Sequence, residues 1–212
     1  MTTAALMTLV QWLSPAFPTG GFAYSHGMEQ VIHDGAIRSG AELEAWLSDV
    51  LQFGAGRQDA LLLSAALEPG ADHRALAAYA VALQPSAERL RETAEQGAAF
   101  ARAVDAVTGT AMAANPLPVA VGAAAQGLGL PKAQVIALYL HAFASNLVSA
   151  AVRFVPLGQN EGQAALAALH PLIEAMAEAA AGQGIAAIES AALGADLAAL
   201  RHEGMDVRIF KT

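Results

Sequence analysis

Residues 133–155 read AQVIALYLHAFASNLVSAAVRFV, and their apolar side chains recur at intervals of three and four. This spacing predicts an α-helix with a wide apolar face. A helix that spans a bilayer needs about 20 mostly apolar residues, whereas this run also carries His141, Asn146 and Arg153. We therefore interpret it as the buried central helix of a bundle, with Pro131 in its first turn, and we expect no membrane insertion.

The same spacing extends along most of the chain, while alternation with a period of two is scarce. We therefore predict an all-α fold, a single-domain helical bundle over residues 1–212. Ser39, Ser86 and Asn160 are the predicted N-caps of three helices, of which the one after Ser86 has one polar face. The predicted helices cover residues 3–13, 25–35, 40–67 with a kink near 54–56, 71–84, 87–104, 131–155, 161–181 and 185–203.

The composition argues against several classes of function. Apolar residues make up 55% of the chain and charged residues 14%, which indicates extensive burial in a core or against partners. The formal net charge is −8, and the lysines are Lys132 and Lys211 only, so no basic stripe is available for nucleic acid. Without cysteine there is neither a disulfide nor a thiolate metal site. No secretory signal occurs at the start, and we expect a cytoplasmic protein.

The sequence contains no recognisable set of catalytic residues. Neither lysine follows a glycine-rich loop of the kind that binds nucleotide phosphates. Ser25 and His26 are adjacent, but neighbours on a helix point about 100° apart and do not form a nucleophile and base. Glu203 follows His202, but the second histidine of a zinc protease motif is missing. We therefore expect no enzymatic activity and no cofactor.

One set of side chains has the spacing of a metal site. His26, Glu29 and His33 recur at i, i+3 and i+7, so on a helix that starts at Ser25 they would share one face and could bind nickel or zinc. The alternative is a solvated polar face, or histidines bonded to loop carbonyls. His141 stands alone on the apolar central helix, where we expect a core histidine with a satisfied hydrogen bond.

The most irregular stretch is SPAFPTGGFAYSHG at residues 14–27, in which prolines and glycines alternate with aromatic side chains. Such a loop holds Phe17, Phe22 and Tyr24 in fixed directions at low entropic cost. Two interpretations stay open at this point. The aromatic side chains either form a preorganised docking surface for a partner or pack between helices.

Three stretches together resemble the urease accessory protein UreF family. They are SPAFPTGGFAYSHGMEQ at 14–30, AAVRFVPLGQNEGQ at 150–163 and DLAALRHEGMDVRIFKT at 196–212. The first two match the pattern of the family almost residue for residue. The third departs from it, because Asp206 and Val207 stand where tyrosine and serine are usual.

The resemblance implies an all-helical, dimerising adaptor without catalytic chemistry that takes part in nickel insertion into urease. Such an adaptor would bind the scaffold protein UreD or UreH on one side and the GTPase UreG on the other, and would reach apo-urease through that complex. Nickel would be handled by the complex as a whole. Two alternatives remain: a chaperone that binds nickel directly, and a modulator of GTP hydrolysis by UreG.

The three stretches also indicate where partners would bind. The C-terminal tail, residues 205–212, is too short to fold alone, so we expect a partner or docking to order it. For the loop at 156–163, ordinary helix ends are an equally good explanation. The candidate partner-binding residues are Phe17, Phe22, Tyr24, His26, Gln159, Gln163, His202, Glu203, Arg208 and Phe210.

Overall fold

The apolar run at 133–155 lies almost entirely in one helix that is surrounded by other helices. The computed structural model describes residues 2–189 and 191–212. Its α-helices are α1 (Thr3–Leu13), α2 (Met28–His33), α3 (Gly40–Phe53), α4 (Ala55–Ala66), α5 (His73–Ala82), α6 (Ala87–Thr108), α7 (Leu117–Ala125), α8 (Lys132–Phe154), α9 (Gln159–Ala168), α10 (His170–Ala181) and α11 (Leu193–His202). Across the described residues there is no β-strand, which confirms the all-α prediction.

Helix α8 lies at the centre of the bundle. It packs most extensively against α10, α9 and α4, and less extensively against α1 and α2. Val135, Ile136, Leu140 and Leu147 on this helix are almost fully buried. Burial of each such side chain stabilises the fold by roughly 2 kcal/mol relative to exposure. The interpretation of residues 133–155 as a core helix is therefore confirmed.

By length and composition alone, two stretches of the described chain could cross a bilayer, namely Lys132–Phe154 and Gln159–Ala181. Core helices of soluble proteins pass the same test. Half of the apolar 18-residue stretch within α8 is buried. The second stretch is divided into α9 and α10 at Leu169. Neither stretch is a strong argument for membrane insertion.

Several helix ends follow the predicted local rules. Helix α1 has the predicted bounds, and Ser39 and Ser86 cap α3 and α6 by accepting backbone N–H bonds at 3.2 and 3.1 Å. Gly54 separates α3 from α4, as the paired glycines suggested. A Cβ at Gly54 would lie 2.8 Å from the side chain of Ala192, so the glycine also allows the chain before α11 to approach closely.

The second helix begins later than predicted. It starts at Met28 rather than Ser25, because His26 and Gly27 have φ angles of +62° and +78°, a left-handed conformation that an α-helix cannot contain. A Cβ at Gly27 would lie 2.7 Å from the backbone nitrogen of Ala199, so this turn also lets α11 approach.

Three later predictions of helix bounds were also wrong. Helix α9 is capped by Gly158, not Asn160, since the Gly158 N–H donates to the Glu161 carboxylate at 3.0 Å. A new helix, α10, begins at His170 with Pro171 in its first turn, where the missing N–H costs no hydrogen bond. The predicted last helix, 185–203, is a short 3₁₀ turn over Ile185–Ala187 followed by α11, and residue 190 lies outside the described residues.

The polar face of α6 is buried rather than solvated. Five side chains of this face are buried. Gly97 lets the segment before α7 cross α6 in contact, since a Cβ at Gly97 would lie 1.9 Å from the backbone oxygen of Asn115. These five side chains are Glu88, Arg89, Glu92, Thr93 and Gln96. A buried charged face needs partners, and the end of the chain contributes several of them.

Candidate functional site

The tail, residues 205–212, docks against its own chain beside the start of α2. The Ser25 N–H donates to the Thr212 carbonyl oxygen at 3.0 Å. Phe210 is 6% exposed and packs against Phe154 of α8, with ring centres 4.8 Å apart. The tail thus packs between the turn before α2 and the end of α8.

Glu29 on α2 holds the backbone of the tail. Its Oε1 accepts the N–H of Ile209 at 2.9 Å, and its Oε2 accepts the N–H of Phe210 at 2.9 Å. The carboxylate is buried, and hydrogen bonds to a charged group contribute about 1.5–3 kcal/mol each. The acceptor oxygens of Glu29 are therefore committed to the tail.

His202 at the end of α11 lies between two carboxylates. Its Nδ1 is 2.7 Å from Oε2 of Glu88, and its Nε2 is 3.1 Å from Oε2 of Glu29. A neutral imidazole carries one N–H, so two such contacts need a second proton on the ring or on a carboxyl group. Arg208 of the tail donates to the other oxygen of Glu88. One buried chain of polar contacts therefore joins α2, α6, α11 and the tail.

A second branch is centred on Glu92 of α6. Thr212 donates its hydroxyl to Glu92 at 2.8 Å, and Arg89 forms an ion pair with the same carboxylate. Burial alone would raise the pKa of Glu92, but the charges and hydrogen bonds of Arg89 and His26 together outweigh it, and the pKa is lowered to about 2. Burial, assisted by Arg89, lowers the pKa of His26 to about 4, so this ring is neutral at neutral pH. We call the two branches the tail cluster, which consists of His26, Glu29, Glu88, Arg89, Glu92, His202 and Arg208.

A cavity of about 110 Å³ lies beside the tail cluster and beneath the loop at 14–27. Its lining includes Asp59 on α4, which accepts a hydrogen bond from the Tyr139 hydroxyl at 2.6 Å. Burial raises the pKa of Asp59 to about 6 despite this hydrogen bond. The folded protein therefore holds this carboxylate at a cost in stability at neutral pH.

We expect the substitution Asp59→Asn to stabilise the protein at pH 7. The pKa of Asp59 is 3.8 in the unfolded chain and higher in the folded one, so the penalty is complete above about pH 6 and disappears as the pH falls through 3.8. Because the side chain is only partly buried beside the cavity, we expect a gain of about 1 kcal/mol at pH 7. Urea denaturation at pH 7 and pH 4 measures both values.

The gain should be absent at pH 4, and the exposed control Asp49→Asn should change stability by less than about 0.5 kcal/mol at either pH. A loss of stability in Asp59→Asn at pH 7 would contradict this account. It would mean that the carboxylate stabilises its surroundings more than burial penalises it.

Apolar side chains remain exposed on the outside of the tail and of α11. The tail alternates, since Arg208 and Phe210 turn toward the bundle while Val207 and Ile209 are 77% and 68% exposed. On α11 the exposed positions follow helical spacing along one face. We call these the outer apolar residues, which are Leu193, Leu197, Leu200, Val207 and Ile209.

Comparison with known proteins identifies the family. A family model described as UreF matches residues 37–170. The chain is 66% identical over 210 residues to a urease accessory protein UreF of Cereibacter sphaeroides strain KD131, which covers 99% of this chain and 100% of that protein. The chain belongs to the UreF family. The resemblance drawn from the three stretches is thereby confirmed, and with it a general role in urease maturation.

Further relatives in the UreF family are more distant but equally complete. The urease accessory protein UreF of Paracoccus denitrificans is 54% identical over 209 residues, which cover 99% of this chain and 97% of that protein. The one from Roseobacter denitrificans is 49% identical over 213 residues, which cover 100% and 96%. The similarity therefore includes the loop at 14–27 and the tail, which lie outside the range of the family model.

The structure divides the candidate partner-binding residues of this UreF family chain into two groups. The side chains of one group are buried within the chain and contact its own helices: Phe17, Tyr24, His26, His202 and Phe210. Those of the other group are exposed: Phe22, Gln159, Gln163, Glu203 and Arg208. Only the second group could contact a partner in this conformation, and that role stays a prediction.

The geometry assumed for the candidate metal residues was wrong. His26 precedes α2 instead of lying on it, Glu29 is occupied by the tail, and His33 is exposed at the far end of the helix. Within residues 2–189 and 191–212, no group of three or more metal-ligating side chains is preassembled. The three side chains therefore do not share one helical face as their spacing predicted.

Glu88, Arg89 and Glu92 were not selected from the sequence as site residues. A signal for them was present, because Glu88, Glu92 and Gln96 recur every four residues along α6 and so share a face. From the sequence we described this face only as polar, and charged residues on a helix are usually solvated. Its partners are distant in the sequence: His202 and Thr212 lie more than 100 positions later, and His26 lies 66 positions before Glu92.

Proposed function

We propose that this chain is a non-catalytic adaptor in urease maturation. It binds the scaffold protein UreD or UreH and the GTPase UreG, and it contacts apo-urease through the resulting complex. We also propose that it acts as a homodimer in the cytoplasm and has no cofactor of its own, since nickel is handled by the complex. Membership of the UreF family supports the general role, and the exposed surface of the tail supports the specific one.

The observation that carries the proposal is the way in which the tail is fixed. Glu29 binds the backbone at Ile209 and Phe210, so Val207 and Ile209 project outward from a backbone that is already ordered. Binding a partner then costs little conformational entropy. Exposed apolar side chains on an ordered segment are typical of a preorganised protein interface.

Helix α11 is held by the same buried contacts and also has exposed apolar side chains. It positions His202 within the tail cluster at its C-terminal end and leaves Leu193, Leu197 and Leu200 exposed. One set of buried contacts thus orders both segments that carry the outer apolar residues. We propose that these residues form the surface that binds the scaffold protein.

The test is size-exclusion chromatography with light scattering on the purified protein. The protein is run first alone, then with UreD or UreH, and then with UreG added, all from the same source. We expect a complex that gains the mass of each added partner, and we expect the protein alone to run as a dimer. No complex under any nucleotide or nickel condition would contradict the adaptor role. GTP hydrolysis by UreG, measured with and without this protein in the complex, separates an adaptor from a modulator.

A further inference from the structure

Two histidines on neighbouring helices face each other outside the tail cluster. His141 on α8 and His170 at the start of α10 have ring centres 5.4 Å apart, with a 45° angle between the ring planes. We expected His141 to be a core histidine with a satisfied hydrogen bond. In the part of the chain that the structure describes, it is instead partly exposed, and neither ring makes a hydrogen bond to another protein group.

The other imidazoles with close partners are used differently. His26 and His202 contact glutamates of the tail cluster, and His73 lies 2.9 Å from the Ala66 carbonyl oxygen. Each of those contacts fixes a ring by a hydrogen bond. The rings of His141 and His170 are held beside each other by helix packing without such a hydrogen bond, so their nitrogens remain available.

The chemistry of the two side chains suits a metal site. Neutral imidazole is the form that binds zinc, copper and nickel.

The distance between the two rings also fits a metal ion bound by both. A metal bonded to two imidazole nitrogens at about 2.0–2.1 Å, with a near-tetrahedral angle between the bonds, places the ring centres about 5 Å apart. The observed 5.4 Å is close to this value. The two ligands come from helices that pack directly against each other, so their separation is set by the core.

We propose that His141 and His170 form a binding site for a divalent late transition metal ion, such as Ni²⁺ or Zn²⁺. Water fills the remaining positions, and Glu174 is a candidate third ligand because it follows His170 by one helical turn and is exposed. The site differs from the set that the sequence indicated. It does not depend on the adaptor role.

The site also lies on the opposite side of α8 from the tail cluster. Phe143 packs edge-on against His26, with ring centres 5.0 Å apart. Positions two apart on a helix are separated by about 200° around its axis, so His141 points away from His26. Metal binding at the histidine pair should therefore leave the tail contacts unchanged.

Isothermal titration of the purified protein with NiCl₂ and with ZnCl₂ tests the proposal. We expect one equivalent per chain, with affinity reduced at least about tenfold in His141→Gln and in His170→Gln, a change of about 1.4 kcal/mol. His33→Gln is the matched control and should bind like the wild type. Affinity should also fall as the pH is lowered, because protons compete with the metal for the imidazole nitrogens.

Thermal denaturation gives a second readout. Metal bound between α8 and α10 should raise the Tm of the wild type and of His33→Gln, but of neither pair variant. Unchanged titration curves in both pair variants would overturn the proposal. So would loss of binding in His33→Gln with binding retained in the other two, which would favour the set near α2. None of these outcomes bears on whether the protein binds the scaffold or the GTPase.

Discussion

Replacing Glu29 by glutamine is expected to detach the tail and to lower the free energy of unfolding by about 3 kcal/mol. The carboxylate is buried, accepts two backbone N–H groups of the tail and faces His202. A glutamine amide can accept through only one atom, and its NH₂ group would face donors. The loss is therefore larger than for a single neutral hydrogen bond.

Two measurements examine this expectation. Urea denaturation gives the change in the free energy of unfolding. Limited trypsin digestion reports how often the tail detaches so that its backbone can be cleaved after Arg208 and Lys211. The variant should be cleaved in the tail much faster than the wild type. Glu178→Gln, an exposed change of the same chemistry on α10, should alter stability by less than about 0.5 kcal/mol. If Glu29→Gln behaves like this control in both measurements, Glu29 does not hold the tail.

Replacing both Val207 and Ile209 by serine is expected to weaken binding to the scaffold protein about 100-fold. These side chains are mostly exposed in the free chain, so their removal should not destabilise it. If the partner buries both, the lost apolar contact amounts to about 3 kcal/mol, which corresponds to the stated change in Kd. Surface plasmon resonance with immobilised UreD or UreH measures it.

The matched control is the pair Val81→Ser and Val107→Ser, two exposed valines outside the tail and α11. It should bind with wild-type affinity. Equal affinity of the tail variant and this control would show that the outer apolar residues of the tail do not meet the scaffold. Deletion of 205–212 should also abolish binding. It is the less specific test, because it leaves the buried carboxylates of the tail cluster without their partners.

The serine variant and Glu29→Gln separate two roles of the tail. The first changes what the tail presents to a partner and leaves its docking intact. The second leaves the outer side chains in place and removes what orders them. If preorganisation matters, Glu29→Gln should weaken scaffold binding as well, because the partner must then supply the cost of ordering the tail.

Much of the helical architecture followed from the sequence because its causes are local. Apolar spacing along 133–155, the serine caps of α3 and α6 and the break at Gly54 each depend on residues within a few positions. The family could be recognised for a similar reason, since its motifs are continuous strings. The late start of α2 could not be predicted, because the left-handed turn at 26–27 is adopted where α11 approaches.

The candidate site was predicted only in part. His26, Glu29, His202, Arg208 and Phe210 were selected from the sequence, but as partner or metal contacts. Their actual neighbours are one another and the buried face of α6.

By itself, the sequence determined that this protein is an all-α member of the UreF family, which residues form its central helix, and that the segments at 14–30 and 196–212 matter. Only the tertiary structure decided what those segments contact within the chain. Glu29 and Phe210 are 181 positions apart, and His141 and His170 are on different helices. Sequence periodicity specifies the face of a helix on which a side chain lies. Which side chain lies opposite depends on how the whole bundle packs.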